Sequence, residues 1–192
     1  QDINNFAGTG LSVLEVSHRS KPFVEVVEQA QSLIKQLMGL NDEYDVLFLQ
    51  GGASTQFFQV PQNFLQHKAS YLNTGTWSKK AIKEAKGFGE VIVSASSEES
   101  NFNFIPTNYQ IDSESDYFHC TSNNTIFGTQ MKSFPNTDIP LICDMSSDIF
   151  SKDIDYSKFD MIYAGAQKNM GPAGVTLVVI KKEMYDKTAD RH

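Results

Sequence analysis

Cysteine is scarce in this sequence: there are two in 192 residues, Cys120 and Cys143, and both lie inside apolar runs. That usage excludes a small disulfide-stapled scaffold and fits buried, reduced thiols in a cytoplasmic protein. Basic clusters are missing too. No run exceeds the lysine pairs at 79–80 and 181–182, and the formal net charge is −7, so a nucleic-acid partner is not expected. No apolar run approaches the roughly 20 residues of a membrane helix, and Gln1-Asp2-Ile3-Asn4-Asn5 has no signal-peptide character. Asn123-Asn124-Thr125 spells a glycosylation sequon, which carries no weight without a secretory signal. Repeats, low-complexity tracts and a clear interdomain linker are also lacking. With 40% apolar residues, the length points to one domain with a sizeable core.

What is present alternates between helix and strand. Ser20 caps a predicted helix to about Met38, with Phe23, Val27, Ala30, Ile34 and Leu37 on its apolar face and Gly39 ending it. Tyr44 to Leu49 reads as a buried strand that breaks at Gly51-Gly52, and Ser54 starts a helix to about Leu65. A strand at Ala69–Leu72, a helix from Trp77 to about Lys86 and a strand at Val91–Val93 follow. The stretch 94–116 is polar, and Asp112-Ser113-Glu114-Ser115-Asp116 within it is expected to be a solvated loop or a helix start. Further strands are predicted at Tyr117–Thr121, Leu141–Asp144, Met161–Ala164 and Val175–Ile180. The pattern is α/β: a mixed, mostly parallel sheet with helices on both faces, mixed because the last strands have too few helices between them.

The most informative stretch is Tyr163-Ala164-Gly165-Ala166-Gln167-Lys168-Asn169, running on to Gly174. It sets one lysine in a glycine-lined turn between two apolar strands. A free lysine amine, with a pKa of about 10.4, is a poor nucleophile until its surroundings lower that value. A buried, mobile amine at a strand end suits Schiff-base formation with a carbonyl, including the aldehyde of pyridoxal phosphate. The alternative is a turn whose lysine points to water. Upstream, Leu141-Ile142-Cys143-Asp144 ends in a carboxylate, and in an open α/β sheet ligands lie outside the carboxyl ends of the strands. Pyridoxal phosphate needs that pair, the carboxylate keeping the pyridine nitrogen protonated. A strand-end Asp is also a common helix cap.

Three weaker features lie nearby. Gln50-Gly51-Gly52-Ala53-Ser54-Thr55-Gln56 turns from a strand into a helix N-terminus, which can hold a phosphate, although most Gly-Gly turns are only turns. Trp77 could stack on a pyridine or pack in the core. Thr125 could donate its hydroxyl to the phenolic oxygen of the cofactor or sit idle in a turn.

In order, these pieces resemble the fold-type I, class V pyridoxal-phosphate aminotransferases, and among them the phosphoserine aminotransferase branch. The resemblance runs through the whole chain. Its most specific parts are Leu14 to Ser20, Gly75-Thr76-Trp77 with Ala81 to Ala85, Asn124-Thr125-Ile126, and Tyr163 to Gly174. It implies Lys168 as the Schiff-base lysine and Asp144 as partner of the ring nitrogen. Trp77 would stack on the ring, Thr125 contact its oxygen, and Ala53, Ser54 and Gln167 hold the phosphate. His18 and Arg19 match the substrate-binding pair; a surface ion pair is the alternative for Arg19. No metal is implied.

The implied reaction interconverts 3-phosphohydroxypyruvate plus glutamate with phosphoserine plus 2-oxoglutarate, in serine biosynthesis. A second activity on a phosphorylated hydroxythreonine is implied as well. The family works in the cytoplasm as a homodimer with shared active sites. Some members carry an arginine where this chain has Ser54. The N-terminal Ser-Gly-Pro segment, the small C-terminal domain and its arginine for the substrate carboxylate have no counterpart here. Residues 1–192 are therefore expected to be the cofactor-binding large-domain core, incomplete at both ends and inactive alone. Alternatives are a cysteine desulfurase, an alanine–glyoxylate aminotransferase, or a non-catalytic α/β module.

Overall fold

The computed structural model describes residues 3–191. Nine strands are β1 (Tyr44–Leu49), β2 (Lys68–Asn73), β3 (Glu90–Ser96), β4 (Phe118–Thr121), β5 (Asn123–Asn124), β6 (Thr129–Gln130), β7 (Leu141–Asp144), β8 (Met161–Gly165) and β9 (Thr176–Lys181). Four α-helices are α1 (Lys21–Met38), α2 (Gly52–Phe64), α3 (Thr76–Ala85) and the single turn α4 (Ala166–Asn169). Seven strands form one sheet in the order β1-β9-β8-β7-β4-β2-β3, and β5 pairs with β6 in a small ribbon. Only β9 runs against the rest, pairing antiparallel with both β1 and β8. The sheet is mixed and mostly parallel, as the sequence implies.

Alternation along the strands sends side chains to two cores. On one face, α2 and α3 pack Phe57, Val60, Ala81 and Ile82 against Tyr71, Ile142, Tyr163 and Val178. On the other, α1 packs Ile34 and Met38 against Val46, Cys120, Cys143 and Val179. Each large side chain buried this way contributes about 1.5–3 kcal/mol. The six parallel-running strands bring their carboxyl ends to one edge, and the neighbouring ends of β4, β7 and β8 place Thr121, Asp144 and Gly165 side by side there.

Three local expectations are corrected. Leu37 is 68% exposed, and Met38, one turn after Ile34, takes the inward position at 4%. The second helix begins at Gly52 rather than Ser54, because Gly51 turns the chain sharply with φ 92°. This conformation is open to glycine at little cost. The third strand runs on to Ser96, since Ala95 and Ser96 continue the pairing with Leu72 and Asn73 past an irregularity at Tyr71. No helix among the described residues is long and apolar enough to cross a membrane.

Candidate active site

A cavity of about 810 Å³ lies between the irregular segments 104–113 and 129–139, away from Lys168 and Asp144. Size alone does not make a site, and the reactive groups converge elsewhere. A smaller cleft of about 150 Å³ at the carboxyl edge of the sheet is lined by Ala53, Ser54, Trp77, Thr121, Asp144 and Lys168, among others.

Each wall follows from local structure. β7 ends at Asp144, which is 5% exposed. Its Oδ1 accepts two hydrogen bonds, from the amide of Ser146 at 2.9 Å and from the Ser146 hydroxyl at 2.6 Å. β8 ends at Gly165, and the one-turn helix α4 then carries Lys168, whose Nζ stands 5.5 Å from the centre of the Trp77 ring. Trp77 is placed by the start of α3, where the Ser78 hydroxyl accepts from the amides of Thr74 and Gly75 at 2.9 Å each. Gly75 is required there: a Cβ would come within 2.7 Å of the Asn124 side-chain oxygen. On the third side, Gly51 offers no side-chain cap to α2. The first-turn amides of Gly52, Ala53 and Ser54 therefore have no partner within the helix, and the helix dipole adds positive potential.

Two buried polar atoms of the cleft have no protein partner, the Thr121 hydroxyl and the Trp77 indole nitrogen. Burial pushes the Asp144 carboxyl above the ordinary carboxylate range. The two Ser146 hydrogen bonds and the Lys168 cation pull it back toward ionisation. The bare site is thus short of positive charge at Asp144. Below it, His119 donates or accepts at the Tyr163 hydroxyl at 2.8 Å, and burial lowers its pKa to about 3, so this imidazole is neutral. The arrangement suits a flat ring against Trp77, with a basic nitrogen at Asp144, an anionic tail at the start of α2, and an electrophilic carbon within reach of Lys168.

The sequence profile described as aminotransferase class-V matches residues 2–191. The chain belongs to the class V aminotransferase family. The phosphoserine aminotransferase of Flavobacterium psychrophilum is 62% identical over 191 residues, covering 98% of this chain and 54% of that protein. The solved phosphoserine aminotransferase of Bacillus circulans subsp. alkalophilus superposes with a TM-score of 0.94 at 45% identity, over 98% of this chain and 54% of its own. That of Trichomonas vaginalis, solved with PLP bound, gives 0.90 at 37% identity, over 98% and 55%. The chain spans about half the length of the relatives it matches.

Within this class V core, the structure brings together Ala53, Ser54, Trp77, Asp144, Gln167 and Lys168 around the cleft. Three predicted residues are not brought there. Thr125 is exposed in the turn between β5 and β6 and does not line the cleft; Thr121, at the end of β4 and paired in register with Asp144, does. His18 and Arg19 are exposed in the turn before α1, outside the cleft lining, and Arg19 makes no ion pair among the described residues. Lys168 is exposed rather than buried, because α4 projects its side chain from the sheet edge. Asp144 caps no helix; it closes a tight turn onto Ser146. Sequence reasoning missed Thr121 and Ser146. Thr121 ends β4 beside Asp144 and Ser146 lies in the turn just after it; side-chain parity along β4 was the available signal for Thr121. Cys120 and Cys143 are fully buried on the opposite face of the sheet from Asp144, which does not suit a desulfurase nucleophile.

Proposed function

We propose that this chain is the cofactor-binding core of a pyridoxal-phosphate-dependent phosphoserine aminotransferase. The observation that carries the reading is the meeting of Lys168, Asp144 and Trp77 in one cleft with the unpaired first turn of α2. The residues fit the group on their own chemistry: a buried carboxylate with no ion pair among the described residues, a Thr121 hydroxyl without a protein partner in the same cleft, and first-turn amides open to a phosphate. Similarity to phosphoserine aminotransferases across nearly the whole chain supports the choice of substrates.

Pyridoxal phosphate, when bound, supplies the electron sink for the carbon that loses a proton. Asp144 would keep the ring nitrogen protonated through a charge-assisted hydrogen bond. Trp77, which lines the cleft, would stack on the ring. The amides of Gly52, Ala53 and Ser54, with Gln167, would hold the phosphate. Lys168 would hold the cofactor through its amine and would serve as the base and acid that moves a proton at the substrate α-carbon. His18 and Arg19 are assigned to the substrate phosphate or carboxylate, which an arginine grips with two parallel hydrogen bonds.

The amino donor and acceptor in this proposal are phosphoserine with 2-oxoglutarate, and glutamate with 3-phosphohydroxypyruvate in reverse. Activity belongs to a longer polypeptide working as a cytoplasmic homodimer, with residues 1–192 alone inactive; the coverage of about half of each relative supports that division. Glutamate release from phosphoserine and 2-oxoglutarate, followed together with the visible absorbance of the protein, tests the reading. Colour with turnover supports it. A colourless natural polypeptide that turns over neither substrate pair overturns it.

A further inference from the structure

We propose that Ser146 is a positioning residue that locks the Asp144 carboxylate in one orientation and ties it to the segment carrying Lys168. Ser146 is 8% exposed and its hydroxyl is used twice. It donates to Asp144 Oδ1 at 2.6 Å and accepts from the Gly165 amide at 3.2 Å. Gly165 is the last residue of β8, three before Lys168. One hydroxyl therefore links the two strand ends that carry the carboxylate and the amine. The Ser146 amide also binds Oδ1, at 2.9 Å, and Met145 bonds back to the Tyr163 carbonyl at 2.9 Å, so the turn itself is held by backbone.

Both Ser146 bonds fall on Oδ1. Among the described residues nothing hydrogen-bonds Oδ2, which is left for a ligand in the cleft that Asp144 lines. Two donors on one oxygen fix the plane of the carboxylate, and donation to the charged form favours ionisation against burial. The groups that act electrostatically with Asp144 are Lys168 on α4, Asp148, Cys143 and Tyr163. None of them donates a hydrogen bond to its carboxylate, so the orienting role falls to Ser146.

The inference rests on the reading of Asp144 as partner of the cofactor nitrogen, and the test separates the two. In the natural polypeptide loaded with pyridoxal phosphate, Ser146→Ala keeps the backbone donor and loses the hydroxyl link. Its kcat is expected to fall about tenfold with KM within about twofold, as for an interaction made in the transition state. The pH midpoint of the visible cofactor band is expected to shift by half a unit or more, which a loss of mere packing does not produce. Asp144→Asn is measured beside it. If Asp144→Asn is severely impaired while Ser146→Ala keeps the wild-type kcat and midpoint, the positioning role is refuted and the reading of Asp144 stands. If Asp144→Asn itself behaves as wild type, the underlying reading fails. Should Ser146→Ala not fold, Ser146→Cys, whose thiol is a weak donor, must show the displaced midpoint; a wild-type midpoint there overturns the proposal.

Discussion

Replacing Asp144 with Asn exchanges one oxygen for an amide and leaves the volume of a 5% exposed side chain almost unchanged. The remaining oxygen can keep both Ser146 hydrogen bonds. What disappears is a buried negative charge whose ionisation burial already opposes. Folding therefore loses little, within about 1 kcal/mol, because the desolvation penalty is removed with the charge. For a chain of this size that is a Tm change of at most about 4 °C. If Asp144 is the partner of the ring nitrogen, as proposed, catalysis loses the charge-assisted contact that would keep that nitrogen protonated. Breaking one side of a buried charged pair costs about 3–5 kcal/mol. At about 1.4 kcal/mol per factor of ten, kcat should fall by roughly two to three orders of magnitude. Thermal melts and steady-state rates on the same preparation of the natural polypeptide measure both effects. A variant with turnover within about threefold of wild type would refute the role of Asp144, and a Tm loss above about 10 °C would show that the residue acts mainly in folding.

Gly75→Ala forces a methyl group to within 2.7 Å of the Asn124 side-chain oxygen, so stability should drop by about 1–3 kcal/mol, read from denaturant midpoints. Thr121→Val removes a buried hydroxyl that has no protein partner; the cofactor-free Tm should hold or rise, while cofactor affinity weakens about two- to tenfold in a fluorescence titration. His119 has a folded pKa of about 3, below the ordinary histidine value of 6.5. Its stabilisation is therefore complete above pH 6.5 and is lost as pH falls toward 3, by up to about 1.4 kcal/mol per unit, because only the unfolded chain takes up the proton there. The stability gap between wild type and His119→Gln should narrow across that window, and a gap independent of pH would contradict the assignment.

The strands of the seven-stranded sheet were legible as short, largely apolar runs, and their alternation with helices gave the mostly parallel sheet; the polar pairs of β5 and β6 carried no such signal. The reversal of β9 was legible only indirectly, through the shortage of helices near the end of the sequence. Asp144 and Lys168 could be paired from sequence because topology sends every parallel strand end to the same edge. Other features depend on non-local pairing. Thr121 enters the cleft through the register of β4 against β7, which no local pattern specifies. The double use of the Ser146 hydroxyl depends on β8 lying beside β7. Leu37 was misjudged because it and Met38 lie near opposite edges of one helical stripe, and the sheet decides which is covered. The exposure of Lys168 follows from a single turn of helix that the glycine-rich sequence did not signal.

The central claim is that Lys168 carries the cofactor. Borohydride reduction of the yellow protein, followed by peptide mapping, tests it most directly. One pyridoxyl mass is expected, on the peptide containing Lys168. A pyridoxyl mass on Lys80, whose ammonium also lies over the Trp77 ring at 4.5 Å, or on any other lysine, would contradict it.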